Sequence, residues 1–145
     1  MRRIGVLFNP FSDTSIRLSI EVAAWLQNQG IEVWRGESQE GRDDPSVLAG
    51  EELLIALGGD GTVLRAARLA IPHNIPVLAV ALGRLSFMSE VGPEQLYPSL
   101  QALLNGEGWH DKRTLLHVTL KRQGQVDIEA TAVNAVVMSR SDLSR

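Results

Sequence analysis

The sequence predicts an α/β fold, in which a parallel sheet with helices on both faces is followed by an incomplete antiparallel β region. Short apolar segments without polar alternation recur between stretches of helical periodicity, as in sheets that are buried on both faces. After Gly108 the pattern changes to long segments rich in β-branched residues. We therefore expect an α/β domain over residues 1–108 and, over 109–145, a β-hairpin that begins a β-rich second domain.

The composition excludes several classes of protein. Hydrophobic residues make up 44% of the 145 residues, and no apolar run approaches the roughly 20 residues of a membrane-spanning helix. The 14 Lys and Arg residues are scattered among 17 Asp and Glu residues, so the sequence predicts neither a nucleic-acid partner nor a membrane partner. The absence of cysteine excludes a disulfide framework and fits a cytoplasmic location.

A βαβ unit is predicted at the amino terminus. Arg3–Phe8 is a short apolar run that stops at the turn formers "NPFSD", which is typical of a buried strand. Thr14–Gln29 has helical periodicity and ends at Gly30, and "IEVW" begins a second strand. The polar segment Arg35–Ser46 is predicted as a loop. The buried stripe of the helix is predicted from its apolar residues, namely Ile16, Ile20, Val22, Ala23, Ala24 and Leu26.

The remaining elements of the α/β domain follow the same alternation. Leu53–Leu57 is predicted as a strand, Gly61–Ala70 as the start of a helix, and Ile75–Leu82 as a further strand. Pro93–Leu104 is predicted as a helix, because proline is favoured in a first helical turn.

The last segment predicts an antiparallel hairpin from Leu115 to Met138. Its two β-branched stretches, "TLLHVTLKR" and "VDIEATAVNAVVMSR", are joined through "QGQ". Isolated hairpins are marginal in water, so we expect this one to pair with another copy, which predicts a homo-oligomer through the β region. The apolar face of the hairpin is predicted from Val118, Leu120, Val126, Ile128, Val136 and Val137.

Acidic pairs and histidines do not predict a metal site. Glu51 and Glu52 are adjacent, so on a strand they point to opposite faces, and Asp43 and Asp44 lie in a polar loop. We predict that both pairs are solvated charge. The three histidines show no ligand spacing and are predicted to be structural or surface residues: His73, His110 and His117.

The loop "GGDGT" carries the strongest chemical signal, because it follows a predicted strand and enters a helix. Gly58 and Gly59 allow the backbone to approach phosphate oxygens and to adopt positive φ, while the helix start offers unpaired N–H groups. A carboxylate beside phosphates is repelled by them, so Asp60 indicates a general base or a partner for Mg²⁺ in phosphoryl transfer. The alternative is that Asp60 only caps the helix while the glycines make a tight turn.

Four segments resemble the NAD kinase family and occur in the family's order. "LLIALGGDGTVLRAARLA" at Leu53–Ala70 resembles its diagnostic motif, which is more specific than the GGDGT shared with diacylglycerol and sphingosine kinases. The others are "NP" at Asn9-Pro10, "VALGRLSFMSEV" where the family reads close to LGxLGFL, and "TAVNAVVMSRSDLSR" where it reads close to ALNEVVxxRG.

The resemblance implies that ATP, or polyphosphate in some members, phosphorylates the 2′-hydroxyl of the adenosine ribose of NAD with the help of Mg²⁺. It implies that Asp60 is the base, that Phe87 lines the adenine pocket and that Asn134 hydrogen-bonds the dinucleotide. Without the resemblance, Phe87 is typical of a core residue and Asn134 of a polar break in a strand. The residues predicted to bind the nucleotides are Gly58, Gly59, Asp60, Gly61, Thr62, Arg65, Phe87 and Asn134.

Arg65 lies in the first turn after the loop, where its guanidinium either reaches a phosphate or remains a solvated helix charge.

The chain departs from the family pattern at three places. Ser86 replaces a usual Gly and Ala135 a usual Glu or Asp, and we expect either change to weaken NAD binding without touching Asp60. The family's second Gly- and Thr-rich motif lies beyond Arg145, so we expect the amino-terminal part of a NAD kinase.

The alternatives to a NAD kinase are a non-catalytic nucleotide-binding or assembly module and a diacylglycerol-type lipid kinase.

Overall fold

The computed structural model describes residues 1–39, 44–83, 86–89 and 91–137. The chain folds into two compact units. The first unit comprises Met1–Trp109 and the second comprises His110–Arg145. The start of a family β-rich domain after residue 108 stays a prediction.

A four-stranded parallel sheet forms the centre of the first unit. Its strands are β1 (Arg3–Phe8), β2 (Glu32–Glu37), β3 (Leu53–Gly58) and β4 (Val77–Ala81). Their spatial order is β2-β1-β3-β4, and each neighbouring pair is parallel. The predicted α/β class with a parallel sheet is confirmed.

Helices of the described residues follow the strands. They are α1 (Asp13–Asn28), α2 (Asp60–Ala70) and α3 (Leu96–Leu104). No helix in this part of the chain is both long and apolar enough to cross a membrane. Short 3₁₀ segments cover Pro45–Leu48, Ile71–His73 and Pro93–Gln95.

Two apolar clusters, one on each face of the sheet, form the core. All six residues of β3 are buried, and its alternate side chains enter opposite clusters. One cluster joins the sheet to α1 and α3 through Val22, Leu26, Leu96 and Leu100. The other joins it to α2 through Val63, Ala66 and Leu69. Helices therefore cover both faces, as the continuous apolar strands predict.

The predicted loop Arg35–Ser46 is partly wrong. β2 continues through Glu37, because β1 runs on to Phe8 and pairs with it residue by residue. Asp44 instead accepts a hydrogen bond from the Ser46 N–H at 2.9 Å and caps the 3₁₀ segment that follows. Asp43 lies outside the described residues.

The buried stripe of α1 differs from the predicted one. Ile20 is 55% exposed, whereas Ser15 and Ser19 are completely buried beside Val22 and Leu26. The serines occupy the inner face because their hydroxyls are paired. Ser15 Oγ donates to the Leu57 carbonyl oxygen at 2.7 Å, and Ser19 Oγ donates to that of Ile16 at 2.7 Å.

The second unit contains the predicted antiparallel hairpin. Its strands are β5 (Leu116–Arg122) and β6 (Gln125–Ala132), and both turn residues, Gln123 and Gly124, have positive φ. Val118 faces Ala130 and Leu120 faces Ile128, so the apolar side chains of these positions share one face. The predicted extent is too long, because Val136 and Val137 follow the end of β6, and Met138 lies outside the described residues.

Candidate functional site

At the carboxyl edge of the sheet, the connections that follow β1 and β3 run in opposite directions. From β1 the chain moves through α1 to β2 on one side, and from β3 it moves through α2 to β4 on the other. Because α1 and α2 lie on opposite faces, the ends of β1 and β3 are the point at which open α/β sheets form a crevice. Ligands of open α/β sheets bind in such crevices.

The loop after β1 is fixed to the end of β3. The Asn9 N–H is shared between Ser15 Oγ at 2.9 Å and the Leu57 carbonyl oxygen at 3.2 Å. The Phe11 N–H donates to Asn9 Oδ1 at 3.0 Å, which closes an Asx turn. The Asn9-Pro10 segment therefore borders the glycine loop that follows Leu57.

The three glycines of the GGDGT loop have two different roles: one allows close packing and two border open space. A Cβ on Gly58 would lie 2.3 Å from Thr62 Oγ1, whereas a Cβ on Gly59 or Gly61 would meet nothing within 4 Å. None of the three has positive φ, so that part of the prediction is wrong, and Gly59 has an ordinary extended conformation with φ −96° and ψ −173°. Gly58 admits the buried Thr62 side chain, while Gly59 and Gly61 leave room for a ligand.

The start of α2 presents backbone donors to this space. The Gly59 carbonyl oxygen accepts from the N–H groups of Thr62 at 2.9 Å and Val63 at 3.2 Å. The N–H groups of Asp60 and Gly61 precede these in the first turn, where the helix itself offers no acceptor. Such donors, together with the helix dipole, favour an anion at this end.

Asp60 is the first residue of α2, and Gly59 is its N-cap. The alternative in which Asp60 only caps the helix is therefore wrong. Its carboxylate reaches the loop after β4, where Ser86 Oγ donates to Oδ1 at 2.8 Å. The Phe87 N–H is shared between Oδ1 at 3.2 Å and Oδ2 at 3.3 Å.

The contacts of the Asp60 carboxyl group determine its protonation state. The Ser86 hydroxyl is the largest influence, and it holds the pKa of the Asp60 carboxyl below the ordinary value of 3.8. Partial desolvation raises this pKa, while the N–H groups of Phe87 and Met88 lower it further. Asp60 is therefore a carboxylate at neutral pH.

Ser86 was expected to act without touching Asp60, and that expectation is wrong. Its hydroxyl makes the shortest hydrogen bond that the Asp60 carboxylate accepts within the described residues. A sequence pattern marks Ser86 only as a departure from the family. The contact joins residues 26 positions apart, so only the fold reveals it.

The Arg65 side chain is half-buried and hydrogen-bonded, so it is not a solvated helix charge. Its Nη1 donates to the Ser38 carbonyl oxygen at 2.8 Å, just beyond the end of β2. A guanidinium carries five N–H donors, so this bond uses part of its capacity. The predicted phosphate contact of Arg65 stays a prediction.

Phe87 and Asn134 belong to different units. The Phe87 side chain is 86% exposed and is not a core residue, while its backbone N–H contacts Asp60. Asn134 follows the end of β6 in the second unit. The structure thus brings Phe87 to Asp60 and the glycine loop, and the roles of both residues in binding stay predictions.

The donor set at this edge fits a cation only in part. The described residues include no group of three or more His, Asp or Glu that could hold a metal ion. Asp60 is a single carboxylate, so Mg²⁺ at this edge would be carried mainly by substrate phosphates. Glu51 was predicted to be solvated, and that prediction is wrong, because its side chain is 1% exposed and lies 3.3 Å from Arg3 Nη2.

The chain is similar to known NAD kinases. Residues 45–108 match the family model described as the ATP-NAD kinase N-terminal domain. The chain is 57% identical over 145 residues to a NAD kinase of Chloroflexus aurantiacus and 58% identical to one of Chloroflexus aggregans, covering 100% of this chain and 52% of each relative. A NAD kinase of Dehalococcoides mccartyi is 32% identical, with 99% of this chain and 51% of the relative covered.

A solved structure shares the fold. The crystal structure of yeast NADH kinase complexed with NADH matches with a TM-score of 0.66 and 19% identity, covering 92% of this chain and 47% of that chain. The chain spans about half the length of the curated relatives it matches. On these matches the chain is similar to NAD kinases over its whole length, and its residues 45–108 match the N-terminal domain of the ATP-NAD kinase family.

Proposed function

We propose that the protein carrying this chain transfers the γ-phosphoryl group of ATP to the 2′-hydroxyl of the adenosine ribose of NAD, which gives NADP. The observation that carries this proposal is the ionised Asp60 carboxylate in the first turn of α2, beside the open space over Gly59 and Gly61. The NAD kinase relatives supply the substrates by analogy.

The chemistry follows from what each group can do. Asp60 takes the proton of the ribose hydroxyl, whose oxygen forms a bond to the γ-phosphorus. The bond from the γ-phosphorus to the β–γ bridging oxygen breaks, and its electron pair leaves on ADP. The Asp60 and Gly61 N–H groups offset the negative charge of the phosphates.

Mg²⁺ and polyphosphate are further parts of this proposal. A divalent cation would be held mainly by the donor phosphates, and it would neutralise part of their charge. Polyphosphate presents the same phosphate chemistry to the glycine loop as ATP does, so both are expected donors. Comparing NADP formation with ATP and with polyphosphate, each with and without Mg²⁺, separates these cases.

The decisive experiment measures NADP formation by the whole protein and its Asp60→Asn variant. We expect a loss of at least about 10²-fold in kcat, the effect typical of a removed general base. Asp13→Asn is the matched control, because Asp13 is the exposed first residue of α1 as Asp60 is the first residue of α2. Near wild-type turnover by Asp60→Asn would show that Asp60 is not the base.

Two other outcomes identify the alternatives. Preference for diacylglycerol over NAD, offered side by side, would point to a lipid kinase. ATP binding in calorimetry without NADP formation would point to a non-catalytic nucleotide-binding module. A cytoplasmic location stays a prediction.

We also propose that copies of the chain associate through the hairpin. Within residues 110–137 the sheet has two strands, so each has an outer edge without a described partner strand. Leu120 and Ile128 face each other and are both exposed, which leaves apolar area for a second copy.

Light scattering across a concentration series tests this association. We expect Leu120→Lys to shift the protein toward monomer, whereas Thr119→Lys, on the other face and opposite Glu129, leaves the association unchanged. A monomer at every wild-type concentration, with hairpin amides protected from hydrogen exchange, would contradict the proposal.

A further inference from the structure

The two oxygens of the Asp60 carboxylate are not equally occupied. Oδ1 accepts the short bond from Ser86 Oγ at 2.8 Å and a share of the Phe87 N–H at 3.2 Å. Oδ2 accepts the other share of that N–H at 3.3 Å, and the Met88 N–H is a further donor to the carboxylate. Ser86 thus holds Oδ1 by the shortest bond that the carboxylate accepts within the described residues, whereas the shared Phe87 N–H is a weak donor to Oδ2.

We propose that Ser86 is a positioning residue for the Asp60 base: its hydroxyl holds Oδ1, so that Oδ2 is the oxygen that takes the proton of the ribose hydroxyl. This inference rests on the proposed function. The proton moves from the hydroxyl to Oδ2 as the new oxygen–phosphorus bond forms and the bond to the leaving ADP breaks. The Ser86 proton stays on Ser86 throughout, so the serine is not consumed or ionised.

The location of Ser86 explains how it positions the base. Asp60 begins α2, whereas Ser86 lies in the loop after β4, so their bond ties two adjacent strand ends together. The side chain of an aspartate in a first helical turn can adopt more than one rotamer unless a partner fixes it. The Ser86 hydroxyl supplies that partner, and the Phe87 N–H defines the plane of the carboxylate.

The same bond adjusts the strength of the base. The neutral groups that lower the pKa of Asp60 are the Ser86 hydroxyl and the N–H groups of Phe87 and Met88, and the positive end of the α2 dipole acts in the same direction. Arg65, the charged residue in the next turn, directs Nη1 to Ser38. Loss of the Ser86 hydroxyl therefore raises the pKa of Asp60, so that the carboxylate becomes protonated at higher pH.

Steady-state kinetics of the whole protein test the proposal with three variants. For Ser86→Ala we expect kcat to fall about tenfold, since misplacement of a reacting group is costly, while KM for NAD changes less than about twofold. The acid limb of the pH profile should move to higher pH. Ser86→Thr keeps the hydroxyl and should restore most of the activity and the wild-type acid limb.

Ser89→Ala is the matched control in the same segment. The Ser89 hydroxyl is buried and has no hydrogen-bond partner within the described part of the chain. Its removal should leave kcat and the pH profile unchanged. Equal kcat and an equal acid limb in Ser86→Ala and wild type, with Asp60→Asn inactive, would overturn the role of Ser86 while leaving the proposed function intact.

A second measurement does not depend on activity. The ¹³C carboxyl resonance of Asp60, assigned by its absence from Asp60→Asn, reports the pKa directly. We expect a higher pKa in Ser86→Ala than in wild type and in Ser86→Thr. An unchanged pKa would overturn the inference even if the protein formed NADP, whereas a wild-type protein that forms none would overturn the proposed function and, with it, the role of Ser86.

Discussion

Arg65 donates from Nη1 to the carbonyl oxygen of Ser38 at 2.8 Å, and this bond joins the middle of α2 to the chain beyond β2. Ser38 is buried, and its own N–H donates to the Phe8 carbonyl oxygen at 2.8 Å. Arg65 thus helps to fix Ser38, the residue that follows the outer strand β2, against the sheet and α2. A cation in this position stabilises the fold whether or not it also meets a phosphate.

Arg65→Ala should lower the free energy of unfolding by about 1–2 kcal/mol, because the Ser38 carbonyl loses a charged donor in a partly buried place. Urea denaturation of the chain measures this change. Arg17→Ala, an exposed arginine on α1, is the control and should stay within about 0.5 kcal/mol of wild type. Equal stability of both variants would show that the Arg65 bond contributes nothing.

Gly58→Ala and Gly61→Ala should change stability in opposite directions. The added Cβ at Gly58 meets Thr62 Oγ1 at 2.3 Å and Thr62 Cβ at 2.8 Å, and this overpacking costs about 1–3 kcal/mol. The Cβ at Gly61 meets nothing within 4 Å, and alanine is the better helix former by about 1 kcal/mol.

Thermal unfolding measures these stabilities, and calorimetry with ATP measures binding. Gly61→Ala should bind ATP more weakly although it is more stable, because its methyl group projects into the space beside the helix start. Unchanged ATP affinity in this variant would place the phosphates elsewhere.

Glu51 should make stability depend on pH. Burial raises the pKa of Glu51 above its ordinary value of 4.5, with Arg3 opposing the effect. The folded state then holds a proton more tightly than the unfolded state, so stability increases as pH falls from the raised pKa toward 4.5 and is lost as pH rises through it. Relative to Glu51→Gln, the wild-type protein should therefore gain stability on acidification in this range.

Denaturation midpoints at a series of pH values above 4.5 measure this difference. Glu52→Gln should reduce this difference without abolishing it, because the Glu52 charge is one of the smaller influences that raise the pKa of Glu51. Parallel curves for wild type and Glu51→Gln would contradict the raised pKa.

Much of the fold could be predicted because strand and helix periods are local properties. Arg3–Phe8 was predicted with the bounds that the structure has, since an apolar run ending at Asn-Pro leaves little choice. The stripe of α1 was predicted wrongly at Ile20 because hydrophobicity alone ranks isoleucine above serine. Ser15 is buried instead because its hydroxyl bridges Asn9 and Leu57, a partnership that sequence spacing cannot show.

The sequence by itself determined the alternation of strands and helices, the place of the glycine loop and the choice of Asp60 as the candidate base, because each depends on residue types within a few positions. Only the tertiary structure decided what surrounds Asp60. Strand order brings the loop after β4 beside the start of α2, which places the Ser86 hydroxyl 2.8 Å from the carboxylate. Hydrogen bonds act over about 3 Å in space regardless of separation along the chain, so the state of this carboxylate depends on the packing of the strands.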